Sequence, residues 1–552
     1  MKKILSMRNG VTKTMETEEM ICSRKCKSPG VFIDSITFND GTVLPLNHDS
    51  IVVFTGANNS GKSQVLRDIE GCFDDSQKKL SIVVGDLDYS LCGEIDKSFF
   101  NKYFSLNQSG YLEIPGTGRS YDEQSIKHEW ERSKVPHSIR PFFIKRISTE
   151  MRLTVSNSLT RDAYNAAGHP IYRMMKSDKL AEIISNYFKQ AFHEDLIINR
   201  NMLNTIPLHV GKAPDKDQFT LNELDEYNSI VESLPKLQDQ GDGMRSFASI
   251  LLETFTSDSS ISLIDEPEAF LHPPQARILG KMLGRSNPDQ RQLIISTHSE
   301  DFLQGILDAC NENVTIIRIN RVGNINHMSI LPNAEIEKLW TSPLLRYSNI
   351  LSGLFHEMVV VCESDYDCLF YQAVLNALFE DRGEIAPDVL FTHCGGKSRA
   401  KDIVRALKAV NVPVVSICDF DLLNSSQDFK PLIEAFGGDW DFLYSAGMKV
   451  VYDSVNAKCS PGVDAWAILK NVGKTGLDRD AFAAYEKVES TCKDTGLFIV
   501  PCGEMEDFDK SVNKNKKDWV YHVLENYDLA RDSKLNEARS FVQEILNYGL
   551  SA

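Results

Sequence analysis

Two groups of residues in this chain have the types and spacing of reaction sites. The first is Gly56-Ala57-Asn58-Asn59-Ser60-Gly61-Lys62-Ser63, which fills every fixed position of the G-x-x-x-x-G-K-[ST] phosphate loop. It follows the apolar run 51–55 and precedes a helix-like stretch at 64–73, the context this motif requires. Glycines let the backbone curl so that its N–H groups face phosphate oxygens, and a helix N-terminus adds favourable potential for an anion. Lys62 then reaches the terminal phosphates and Ser63 ligates magnesium. Downstream, the strand-like run 261–264 ends in Asp265 and Glu266. Asp265 suits the magnesium shell, and Glu266 can polarise an attacking water. A further apolar run ends in Ser296-Thr297-His298-Ser299, where a histidine can contact a γ-phosphate. Alone, the acidic pair would read as a solvated turn and the histidine as structural; the phosphate loop tips both towards nucleotide chemistry.

The second group is made of carboxylates. Glu363 follows the apolar run 359–362 directly, and Asp367 comes four residues later at a helix start. Some fifty residues on, the run 412–418 ends in Asp419-Phe420-Asp421. Residues i and i+2 of an extended chain project to one side, so Asp419 and Asp421 are expected to point together. Carboxylates at the carboxyl ends of parallel strands sit where α/β folds place ligands. An all-oxygen set suits magnesium or manganese rather than zinc. Each acid alone reads as a loop solubiliser, and only the joint order favours a metal site. Lys397, in Gly395-Gly396-Lys397-Ser398 before a helix, can hold a phosphate, and Lys474 can neutralise a cleavage transition state. For both, an exposed loop lysine is an equal reading. Lys510, Lys514, Lys516 and Lys517 beside Trp519 form a basic run that reads better as a solvated face than as a DNA contact.

The order phosphate loop, long insertion, glycine signature, strand–Asp–Glu, strand–His resembles the ABC class that includes SMC and RecF-like ATPases. The signature segment, Gln240-Gly241-Asp242-Gly243-Met244-Arg245-Ser246, departs from Leu-Ser-Gly-Gly-Gln and resembles the form in the OLD (overcoming lysogenisation defect) nucleases. That resemblance implies that Gly241 and Gly243 cap ATP bound by a second subunit, hence a homodimer or larger assembly. It also places His298 as the switch histidine. No glutamine stands in the Q-loop place, 145–152, leaving Arg152 as a weak candidate for ATP sensing or DNA contact. Glu363, Asp367 and Asp419-x-Asp421 resemble the TOPRIM pattern of topoisomerases, primases and OLD nucleases over about 356–510, with Ser364 where glycine is usual. Gly503-Glu504-Met505-Glu506 resembles a later TOPRIM element, which implies that Glu506 supports a second metal. OLD nucleases use a lysine in the region of Lys474, without the sequence fixing which one.

These residues need parallel strands to position them. Strand–helix alternation from about residue 344 predicts a compact parallel domain, and short strands from Val31 predict a β-rich lead into the nucleotide core. The expected fold is α/β: an ABC-type P-loop ATPase over 1–345, with a helical insertion at about 155–237 that can serve dimerisation, and a Rossmann-like TOPRIM domain over 346–552. The boundary is expected near 335–350. A formal net charge of −17 argues against coating nucleic acid by bulk charge, while leaving room for a local basic groove. Of 12 cysteines, only Cys22 and Cys26 have ligand-pair spacing, and no second pair follows. No signal-peptide core and no membrane-length apolar run are found, so a cytoplasmic protein without membrane contact is expected.

The resemblance implies an ATP-regulated, magnesium- or manganese-dependent DNA endonuclease, an effector of bacterial defence against phage. Its implied partners are a retron reverse transcriptase with its RNA–DNA hybrid, or a helicase as in Gabija systems. The alternative is an ATP-dependent sensor or scaffold with a nonproductive TOPRIM domain. Topoisomerase or primase activity is disfavoured, because the chain is too short for a further domain carrying a tyrosine nucleophile.

Overall fold

The computed structural model describes residues 28–74, 81–106, 110–114, 119–160, 169–200, 202, 204–215, 224–285, 290–309, 312–331, 351–462 and 464–549. Cys22, Cys26 and the expected boundary at 335–350 lie outside the described residues. The chain divides into two compact units. One comprises Met1–Phe54, Gly61–Ile316 and Arg321–Met328; the other comprises Thr55–Ser60, Ile317–Asn320 and Ser329–Ala552.

The first unit is organised by a six-stranded sheet. Its order is Ile325–Ile330, Val314–Val322, Ile51–Thr55, Gln292–Ser296, Ile261–Asp265, Ile144–Ile147. The runs IVVFT and QLIIS are buried along their whole length, as expected of strands covered on both faces. Register does the positioning. Ser296 pairs with Phe54 on one side and with Asp265 on the other, all in parallel, so three strands end level. The phosphate loop, Asp265–Glu266 and His298 leave from those level ends. The predicted β-rich lead is present: Gly30–Phe38 pairs antiparallel with Val43–Pro45 and with Val84–Cys92.

The short Ile144–Ile147 strand is followed by a Thr149–Val155 helix, whose N-cap Ser148 accepts from the Met151 N–H. The insertion at 155–237 is not wholly helical. After the Asp178–Phe192 helix, Asp195–Ile198 pairs antiparallel with Leu208–Gly211. The helical spacing of 179–193 does not continue into this stretch, whose short apolar runs bury as a hairpin.

The Pro273–Arg285 and Glu300–Asp308 helices pack through paired glycines. A Cβ on Gly280 would stand 2.2 Å from the Phe302 carbonyl oxygen, and one on Gly305 2.1 Å from that of Arg277. Arg277 closes the contact through two bonds to Asp308, at 2.9 and 2.8 Å.

The second unit is built on a four-stranded parallel sheet in the order Val389–His393, Met358–Cys362, Val414–Cys418, Leu497–Ile499. The alternation predicted from the sequence is therefore present. Asp365–Arg382 and Lys397–Ala409 are the intervening helices. Five described α-helices, Ser426–Ala435, Trp440–Leu443, Lys449–Ala457, Ala465–Val472 and Arg479–Thr495, separate the last two strands. The core gathers Val360, Phe370, Val415, Phe498, Trp519 and Phe541. Among the described residues no helix is long and apolar enough to cross a membrane.

The glycine contact yields a stability prediction. Gly305→Val forces the two helices apart and should cost about 2 kcal/mol or more in urea unfolding. An unchanged midpoint would show that the close approach is not required.

Candidate functional site

The phosphate loop adopts the backbone that its glycines permit. Gly56 and Gly61 have φ of 142° and 103°, and Asn59 lies at 62°. These left-handed residues curl the loop ahead of the Lys62–Cys72 helix. At Gly61 a side chain would also meet Asn326 Nδ2 at 2.8 Å. Lys62 is buried, and burial depresses its pKa against the attraction of Glu266, Glu268 and Asp265. A desolvated lysine among carboxylates is poised for a polyanion.

Asp265 Oδ1 accepts from Ser296 Oγ at 2.5 Å, across the register pair of the two strands. Glu266 sits at φ 45°, a left-handed conformation that a glutamate holds only under constraint. The constraint is Arg152. Its fully buried guanidinium donates twice to the Glu266 carbonyl, each at 3.0 Å, and once to Thr149 Oγ1 at 2.9 Å. Buried in this way, Arg152 braces the Glu266 turn and has no surface for DNA, which corrects the DNA-contact half of the sequence expectation. Glu266 Oε1 lies 3.5 Å from His298 Nδ1. The imidazole lowers the Glu266 pKa, and Glu266 in turn raises that of His298. Asp265, Glu266, His298 and Lys62 thus share one electrostatic neighbourhood. The signature glycines open the Asp242–Thr256 helix, with Gly241 at its N-cap. Gly243 lies under the Phe270 carbonyl, 2.7 Å from where a Cβ would stand.

In the second unit, Val361 pairs with Ser416 and Cys418 with Ile499, so Glu363 and Asp419 leave neighbouring strands at nearly one level. Glu363 Oε1 accepts the Asp419 backbone N–H at 3.1 Å. Burial raises the Glu363 pKa, and Asp421 raises it further. Burial raises that of Asp419 well above the ordinary range, with Lys516 opposing. Glu506 is raised by burial too, and it shares Lys516, Glu504 and Asp367 as neighbours. Glu363, Asp367, Asp419, Asp421 and Glu506 are therefore brought together.

Three details differ from the sequence expectations. Asp419 and Asp421 do not lie on an extended chain. Asp419 caps a 3-10 helix at Phe420–Asn424, so the chain turns between them and Asp421 reaches Lys397 Nζ at 3.1 Å. Asp367 is the third residue of a capping box with Ser364, whose N–H and hydroxyl both donate to its Oδ2 at 2.9 Å. Ser364, standing where glycine is usual, is therefore useful as a helix cap. Lys474 pairs with Glu489 at 4.0 Å rather than with the acidic group.

The lysine in the acidic centre is Lys516, first residue of the Lys516–Asn526 helix. Its Nζ stands 2.8 Å from Asp367 Oδ1 and 3.5 Å from Asp419 Oδ2. Burial works against the ammonium, yet Asp419 and Asp367 hold its pKa above the ordinary lysine value. The basic run read as a solvated face therefore contributes one half-buried ion-pair partner. No local signal marks Lys516, because its partners lie far away in sequence.

As the side chains stand, no three of the described His, Cys, Asp and Glu residues form a metal cage. The donor chemistry nevertheless fits a hard divalent cation. The set is all carboxylate oxygen, and Asp421 Oδ1 and Glu506 Oε2 are buried without a hydrogen-bond partner.

Arg152→Met would take the guanidinium from the Glu266 carbonyl and leave Lys62 as the remaining cation beside Asp265, Glu266 and Glu268. It should destabilise the first unit by about 3 kcal/mol in chemical denaturation. A change below about 0.5 kcal/mol would show that the guanidinium does not hold the turn.

No curated protein sequence matches the chain. Among solved structures, the SMC head bound to the C-terminal winged-helix domain of ScpA aligns at 11% identity and a TM-score of 0.32, covering 56% of this chain and 99% of that one. A Pyrococcus furiosus-derived SMC head complex with the C-terminal domain of ScpA aligns at 10% and 0.32, covering 56% and 98%. The Thermotoga maritima SMC head domain aligns at 12% and 0.29, covering 55% and 98%. Residues 51–303, which carry the phosphate loop, Asp265, Glu266 and His298, match the family model described as "AAA domain, putative AbiEii toxin, Type IV TA system".

Proposed function

We propose that the chain is an ATP-regulated, divalent-metal-dependent DNA endonuclease of the OLD type, acting in antiviral defence. The observation that carries this reading is the meeting of Glu363 and Asp419, at neighbouring parallel strand ends, with Asp367, Asp421 and Glu506 from the helical turns beside them, in the same chain as a segment that matches an AAA family model.

In the ATPase, Lys62 and the curled loop bind the phosphates, with Ser63 and Asp265 as the magnesium ligands. Glu266 takes a proton from the attacking water as that water adds to the γ-phosphorus and ADP leaves. His298 contacts the γ-phosphate. Gly241 and Gly243, at the start of their helix, complete the site of a second subunit, so the active form is at least a homodimer.

In the nuclease, Glu363, Asp367, Asp419, Asp421 and Glu506 hold magnesium or manganese. When bound, two such ions stabilise charge on the attacking and leaving oxygens of phosphodiester hydrolysis. Lys516 takes the role the sequence offered to Lys474, because its ammonium already stands among the carboxylates. Lys397, paired with Asp421, is a second phosphate contact. The substrate is DNA. A retron reverse transcriptase with its RNA–DNA hybrid, or a helicase, is the partner class.

A second reading is an ATP-dependent sensor or scaffold whose TOPRIM domain does not cut. It is favoured by the lysine ammonium groups that neutralise the acids, with no ready-made cage among the described residues.

One assay separates the two: plasmid cleavage with manganese, with and without ATP. Glu363→Gln and Lys516→Ala should each lower cleavage at least about 100-fold while ATP hydrolysis persists. Lys474→Ala should stay within about threefold of wild type. Full cleavage by Glu363→Gln would refute the nuclease site, and wild-type protein that never cuts DNA would support the scaffold.

A further inference from the structure

Glu268 comes three residues after Asp265 and, besides attracting the Lys62 ammonium, holds the segment that carries His298. Its side chain is 5% exposed. Oε1 accepts from the Thr297 hydroxyl and from the His298 backbone N–H, each at 2.8 Å. The same oxygen stands 3.2 Å from His298 Nδ1. Oε2 is buried without a hydrogen-bond partner.

A buried carboxyl is unfavourable, and one satisfied at a single oxygen is more so. Every donor in this set comes from the Thr297–His298 segment. The acid therefore fixes that segment in two ways, through its main chain and through its ring. The ring needs such support because it is half-exposed, and Glu266 alone would hold it at only 3.5 Å. With Nδ1 held between Glu266 and Glu268, the Nε2 edge is the one left to meet a ligand.

We propose that Glu268 is a positioning residue for nucleotide hydrolysis, acting through His298 by fixing both its backbone and the direction of its Nε2. This rests on the ATPase reading of the first unit. Thr297 shares in the device, because its hydroxyl orients the same carboxyl oxygen.

The test uses the full-length protein, measuring steady-state ATP hydrolysis and the binding of a fluorescent ATP analogue. Glu268→Leu should lower kcat at least about tenfold with the analogue's Kd within about twofold. Glu268→Gln keeps the Oε1 acceptor and should stay within about threefold. In a His298→Gln background, adding Glu268→Leu should cost nothing further, because the two act as one unit. Thr297→Val removes one anchor and should lower kcat about threefold with binding intact, which carries the test if Glu268→Leu does not fold. The proposal is overturned if Glu268→Leu loses binding as much as turnover, if the losses multiply in the double variant, or if Thr297→Val turns over at the full rate. Wild-type protein that binds the analogue yet hydrolyses no ATP would overturn the ATPase reading instead.

Discussion

In each unit a parallel ladder sets strand ends level, and the candidate site is built from the segments that follow those ends. Ser296 opposite Asp265 and Phe54 fixes the edge from which Lys62, Glu266 and His298 are presented. The pairing of Val361 with Ser416 does the same for Glu363 and Asp419. A one-residue slip in either ladder would turn every side chain to the opposite face. The long apolar runs before the acids are therefore part of the chemistry, because their burial pins the register.

Gathering like charges at a buried edge is costly unless cations or hydrogen bonds offset it. The two units answer this in the same way. Arg152 and Lys62 neutralise Asp265, Glu266 and Glu268, and Arg152 also holds the strained turn at Glu266. Lys516 and Lys397 neutralise the carboxylates of the second unit. In both, the cations come from elements remote in sequence, so charge balance forms only as the unit folds. The difference lies in the polyanion expected. The first edge has a curled loop of backbone N–H groups, whereas the second has a surplus of acids that a divalent cation would relieve.

Much of this was legible in the sequence because the signals were local. Gly56–Ser63 carries its geometry in its residue types. Asp265, Glu266, Glu363 and Asp419 are marked by the apolar runs before them. What failed depended on tertiary context. The extended-chain argument for Asp419 and Asp421 broke down because the chain turns into a 3-10 helix at Asp419. Lys516 looked like one of four surface lysines, and its separation of about 150 residues from Asp367 hid its role. Glu268 was opaque, since an acid after Asp-Glu-Pro is an ordinary feature until burial is known, and Arg152 was noticed only for its place, with its bracing of Glu266 hidden until the fold set the two together. The insertion read as helical because its strongest period, at 179–193, is helical, and the Asp195–Ile198 hairpin is too short to show one.

The central claim is that level strand ends in the second unit gather a site for divalent cations. Anomalous diffraction at the manganese edge, from crystals of full-length protein grown with manganese, tests it most directly. The account predicts an anomalous peak coordinated by Glu363 and Asp419, with the Lys516 ammonium displaced from between Asp367 and Asp419. A map with no peak there and Lys516 still bridging the two aspartates would contradict it.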